Sequence, residues 1–165
     1  DLHSFPTRRS SDLIIVEISR EAGVRAPSAA EVRRVALVAL RSGKRRLASV
    51  SIALVTNATI ARLNRRFLAH RGPTDVISFT LAGPSGDAGD IYIAPAVARE
   101  AAAALGIPVR EEILRLVVHG ILHVTGHDHP DGEARLRSPM WRKQEAILRR
   151  ALRVRRPATV QRSRS

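Results

Sequence analysis

Three histidines set around one glycine constrain this chain more than any other feature. The stretch Val118-His119-Gly120-Ile121-Leu122-His123-Val124-Thr125-Gly126-His127-Asp128-His129 holds four of the six histidines. The segment from Glu111 to Val124 reads as a helix. His119 and His123, four apart, then share one face with Cβ atoms about 5–6 Å from each other. Gly126 is the residue type that ends a helix through a left-handed turn, and that turn can carry His129 back over the same face. A helix–turn supplying H-x3-H-x5-H is a pattern for a three-ligand metal site. Zinc is the expected ion, one per chain, because neutral imidazole suits it and three protein ligands leave a fourth position open. The chain has no cysteine to close a structural thiolate site.

Charge narrows the partners less sharply. Lys and Arg number 28 against 15 acids, a net +13. Seven arginines between Arg149 and Ser165, with no acid among them, leave a net +6 on the rest. A basic chain favours a polyanionic partner such as nucleic acid, but a solvated basic surface explains the charge equally well. Absence of cysteine means no disulfide framework and fits a cytoplasmic location. No apolar run approaches a membrane span, so no membrane association is expected.

The chain opens on residues that fit nothing after them. His3 to Leu13 looks like the translation of a sequencing adapter, so residues 1–13 are expected to be non-native. Residues 14–154 are expected to form a single catalytic metallohydrolase domain, and 155–165 a basic disordered tail. Strands are predicted at Leu13–Ser19, Leu47–Val55, Thr74–Leu81 and Asp90–Ala94, the last two as a hairpin around the loop Gly83–Gly89. Helices are predicted at Ala29–Ser42, from a Thr56 or Asn57 cap to Leu68, from Pro95 to the stop at Gly106, and at Glu111–Val124. A last helix should run from about Glu133 to Val154, interrupted or kinked at Pro139, with Met140 and Trp141 as core anchors. This order predicts an α+β fold: a small mixed β-sheet of about four strands packed by about five helices, with the metal site on a helix–turn.

The spacing of His119 and His123 invites comparison with H-E-x-x-H metallopeptidases, where Glu after the first His is the general base. Gly120 occupies that position and removes the base, while allowing another element to approach closely. Asp128, beside the third histidine, suits orienting a ligand or a water and equally suits capping the last helix. His127 reads as a turn residue rather than a fourth ligand. Arg65, Arg66 and Arg71 cluster beside the turn His70-Arg71-Gly72-Pro73, and guanidinium forks bind phosphates bidentately. A solvated helix face explains Arg65 and Arg66 as well. Asp75 can cap, bond the turn, or reach the metal site.

Taken together, HGILHVTGHDH (His119–His129), LNRRF (Leu63–Phe67), PTDVISF (Pro73–Phe79) and GDIYIA (Gly89–Ala94) resemble the YbeY family of bacterial zinc-dependent endoribonucleases and rRNA maturation factors. The resemblance covers Ile14 to about Leu148. It implies zinc on His119, His123 and His129, an α+β fold with the site in a basic groove, and single-stranded rRNA of the small ribosomal subunit as substrate. The implied roles are 16S rRNA 3′-end maturation and ribosome quality control. Leu68 stands where the family usually carries an arginine associated with RNA handling, Thr80 where proline is common, and His127 where an aromatic is common. A second class of function is an rRNA- or ribosome-binding assembly factor whose metal is chiefly structural.

Overall fold

The computed structural model describes residues 13–153. The expected adapter-like segment, apart from Leu13, and the basic tail lie outside them. Four strands, β1 (Ile15–Arg20), β2 (Ser49–Leu54), β3 (Val76–Leu81) and β4 (Ala88–Ile93), form one sheet in the order β1-β2-β4-β3. β1, β2 and β4 run parallel, and β3 is antiparallel to β4. The sheet is therefore mixed. The expected β3–β4 hairpin is present, although β4 starts at Ala88 and places Gly89 inside the strand opposite Thr80.

Five α-helices surround it: α1 (Ala29–Leu40), α2 (Asn57–Leu68), α3 (Pro95–Leu105), α4 (Val109–Val124) and α5 (Pro139–Arg153). Ser28 caps α1 by accepting from the Glu31 amide, and Thr56 caps α2 through the Thr59 amide. These are the hydroxyl caps that satisfy otherwise orphaned N–H groups. α4 is the centre of the packing. Ile113, Leu114, Val117, Val118, Ile121 and Leu122 are all at or below 1 % exposure. It packs against α1, α3, α5 and strands β3 and β4. A helix with so broad an apolar face has to be enclosed by other elements.

The main core joins α1, α4 and α5 to one face of the sheet. A smaller cluster of Val55, Ile60, Ile77 and Ala94 lies beneath α2. The α4–β4 contact is unusually close. A Cβ on Gly120 would stand 2.7 Å from Ile91 Cγ2, and one on Gly89 would stand 2.9 Å from Val124 Cγ2. Helix and strand approach over glycine on both sides, which fixes the height of α4 above the sheet.

Of the two expected outcomes at Pro139, the last helix shows the interruption. A separate 3-10 helix spans Gly132–Arg137, Ser138 is extended at φ −71° and ψ 155°, and α5 begins at Pro139. A residue preceding proline is driven out of the helical region, while proline itself suits the first helical position. Ser138 Oγ then accepts from the Trp141 amide at 3.1 Å. Proline starts a helix here and does not kink one.

Candidate metal centre and its cleft

α4 ends in a Schellman turn built by Gly126. The His127 amide donates to Leu122 O at 2.9 Å, the Gly126 amide donates to His123 O at 3.0 Å, and Gly126 has φ 97°. This pair of bonds around a left-handed glycine satisfies the last carbonyls and reverses the chain. The α1–β2 connection clasps the turn from outside. Both the Lys44 and Arg45 amides donate to Thr125 O at 3.0 Å, and His127 Nε2 lies 2.9 Å from Ser42 O. His127 is 7 % exposed and bonded away from the other histidines, so it anchors the turn.

The turn brings His119, His123 and His129 together, with one ligand atom from each within 4.8 Å of the others. Their Nε2 atoms converge: His123 lies 3.1 Å from His119 and 3.2 Å from His129. Two imidazoles on one tetrahedral zinc would stand about 3.3 Å apart, from Zn–N bonds near 2.0–2.1 Å. The opposite nitrogens of two rings are committed elsewhere. His119 Nδ1 is 2.8 Å from Gln144 Oε1, and His129 Nδ1 is 2.8 Å from Pro130 O. Both partners are acceptors, so each Nδ1 carries the proton and each Nε2 turns a lone pair toward the shared centre. This donor set fits a metal ion.

Electrostatics favours the same state. Burial pushes the His119 imidazole down to about 4, against the raising influence of Gln144, and the neighbouring His123 and His129 act in the direction of burial. His123 is also lowered, first by burial and then by His129, with Asp128 opposing. Desolvation penalises the imidazolium, so His119 is neutral and ligand-ready at neutral pH.

The acids divide into different tasks. Asp128 Oδ1 accepts from the His129 amide at 2.8 Å and lies 3.9 Å from His123 Nδ1, with its side chain 89 % exposed. Its hydrogen bond is to the backbone of the turn, and it does not cap the helix that follows. The 3-10 helix that follows has Asp131 at its N-cap position. Asp75 lines the cleft with His119 and His129, and its Oδ1 accepts from the Val76 amide at 2.8 Å.

Beside the histidines lies a cleft of about 520 Å³ between α3, α4, the 3-10 helix and α5. One wall is an ion cluster. Arg115 binds Glu145 at 2.8 Å, Glu112 at 2.6 Å and Glu111 at 2.9 Å. Burial works against its charge, but the bonds from Glu145 and Glu112 prevail and hold its pKa above the ordinary arginine value. Gln144 Nε2 reaches Glu145 Oε1 at 3.3 Å, which ties the His119 partner into this cluster.

Sequence reasoning missed Gln144 and Arg115. Gln144 sits 25 residues from His119 in the chain, and no local spacing announces it. Trp141, expected in the core, is half-buried and lines the cleft, whereas Met140 is buried at 2 %. Arg65, Arg66 and Arg71 are exposed and do not line this cleft. Arg65 and Arg71 flank a shallow surface depression, and the Arg66 guanidinium lies 5.2 Å from the Phe67 ring centre. Leu68 is 44 % exposed at the end of α2. Gly120 faces Ile91 of the sheet, so a glutamate there would meet the core.

An α+β domain in which three histidines converge beside an open cleft could hold a metal ion and leave it a free position. Comparison with known proteins gives the family. The chain matches the Endoribonuclease YbeY family over residues 19–152 and belongs to it. It is 34% identical over 143 residues to the Endoribonuclease YbeY of Renibacterium salmoninarum, covering 81% of this chain and 90% of that one. It is 44% identical over 102 residues to that of Carboxydothermus hydrogenoformans, covering 60% and 69%. The solution structure of TM1509 from Thermotoga maritima superposes with a TM-score of 0.57 at 25% identity, over 83% of this chain and 89% of that one.

Proposed function

We propose that the protein is a zinc-dependent endoribonuclease that cuts single-stranded rRNA in 16S 3′-end maturation and ribosome quality control. The observation that carries the reading is the convergence of three histidine Nε2 atoms, with acceptors behind His119 and His129, beside an open cleft that these two line. His119, His123 and His129 are the ligands of one zinc ion per chain. When bound, zinc supplies a Lewis acid for a phosphoryl oxygen and brings the pKa of water toward neutrality.

The chain's own groups bind and orient. Gln144 holds the His119 ring, Asp128 fixes the backbone of His129, and Asp75 contributes negative charge at the cleft edge. Arg65, Arg66 and Arg71 supply an exposed positive surface for the phosphates of the strand. In this reading residues 14–154 are the catalytic domain, the cytoplasm is the compartment and the small ribosomal subunit is the partner. No helix among the described residues is long and apolar enough to cross a membrane.

A cleavage assay on a 16S precursor with wild type, His123→Ala and Leu68→Arg tests the reading. Wild type should cut single-stranded precursor, His123→Ala should not, and Leu68→Arg should cut at least as fast as wild type. Unchanged cleavage by His123→Ala would overturn it. If chelation weakens folding and rRNA binding together while no enzyme concentration cuts, the assembly-factor reading replaces it.

A further inference from the structure

The cleft has an apolar half that the metal centre does not use. Leu105 and Leu136 stand at its mouth, 67 % and 48 % exposed, and the half-buried Trp141 lies deeper. Large apolar side chains left open to water around one concavity are a ligand signature. The 3-10 helix forming one wall contributes no buried residue of its own, so the hydrophobic core does not account for its placement.

The same cavity carries His119 and His129 in its wall and the exposed Arg135 at its rim. Arg115 nearby is more than neutralised by Glu111, Glu112 and Glu145, which leaves that wall acidic, whereas no acid among the described residues pairs with the Arg135 guanidinium. The cavity is thus divided, and an occupant with an apolar body and an anion fits it when the anion points to the histidines and Arg135, away from the carboxylates around Arg115. A nucleotide unit has that shape: the base is flat and stacks on an aromatic ring, and the phosphate is the charge.

We infer that this cavity seats a nucleobase of the single-stranded substrate, stacked on Trp141, with the adjoining phosphate toward the histidines. The inference rests on the ribonuclease reading and names the subsite through which the strand is held. Stacking is tolerant of base identity, so the pocket favours unpaired over paired RNA without reading sequence. A base within a duplex cannot enter it.

Trp141 is the chain's single tryptophan, so its fluorescence reports this cavity alone. The zinc-loaded protein is titrated with AMP and, in parallel, with ribose 5-phosphate, which carries the anion without the base. AMP should change Trp141 emission and bind about tenfold or more tightly than ribose 5-phosphate. Leu105→Ala, at an exposed position that folding tolerates, should weaken AMP severalfold and leave ribose 5-phosphate unchanged. Trp141→Phe, followed by calorimetry, should keep most of the AMP preference, and Trp141→Ala should abolish it.

Equal affinities for the two probes with unaltered emission would overturn the inference. So would a response to an apolar acetyl-dipeptide amide and none to AMP, which would mark a peptide site. The readings fail separately. AMP binding with no rRNA cleavage would sink the nuclease reading and keep the pocket, and cleavage without a base preference would do the reverse.

Discussion

The histidine turn and the arginine surface of α2 are both candidate functional regions, and they are built in opposite ways. The turn is held from every side. Its backbone is bonded by Lys44 and Arg45, its entry helix is enclosed, and His119 is fixed by the 1 % exposed Gln144. Arg65, Arg66 and Arg71 stand in solvent, and the Arg66 guanidinium meets the ring of its own neighbour Phe67. Packing determines where the histidine nitrogens lie. The arginines keep their rotamers, which suits diffuse attraction of a phosphate backbone more than a single geometry. Ligand geometry in this molecule is a property of the core, and charge is a property of the surface.

The sharpest way to break this contrast is at Gln144. Gln144→Leu keeps the volume but removes the acceptor for His119 Nδ1–H, and should weaken metal binding by about 10–100-fold. Gln144→Glu keeps an acceptor and should bind metal more tightly than the leucine variant, at a cost in stability from burying a carboxylate beside Glu145. Chelator competition measures both. If the leucine variant binds metal as tightly as wild type, the ring is positioned by packing alone and the contrast loses its main support.

A smaller effect is expected on the other side. Replacing Arg65, Arg66 and Arg71 together by alanine should leave metal content untouched and weaken RNA binding similarly for all sequences. The slope of log affinity against log salt should fall by about one for each phosphate no longer neutralised. An unchanged slope would return these arginines to the solvated face that the sequence also allows. A change in metal affinity would show that the two regions are not separate.

How much is legible in the sequence follows the same division. Local periods and caps announce β1 to β4 and α1 to α4, because Ser28, Thr56, Pro95, Gly106 and Gly126 act within a few residues of where they stand. The histidine spacing is legible because one helix face and one turn suffice to bring the ring nitrogens together. Gln144 and Arg115 are not, since their roles arise from α4 meeting α5, a packing that no local pattern encodes. Trp141 departs from its expected place for a related reason. Its apolarity is the same in a core or a cleft wall, and only the packing of α5 against its neighbours distinguishes the two. Gly120 reads as permitting close approach, and its distance to Ile91 gives that reading a partner.

The proposed centre of this molecule's chemistry is three imidazoles that could hold one metal ion, and metal stoichiometry tests it most directly. Elemental analysis of the full chain, equilibrated with zinc and freed of excess, should find about one zinc per wild-type chain. The same measurement should find essentially none after His119→Ala, His123→Ala or His129→Ala, each still folded by circular dichroism. A wild-type chain that retains no zinc, or three variants that retain it fully, would contradict a three-histidine site.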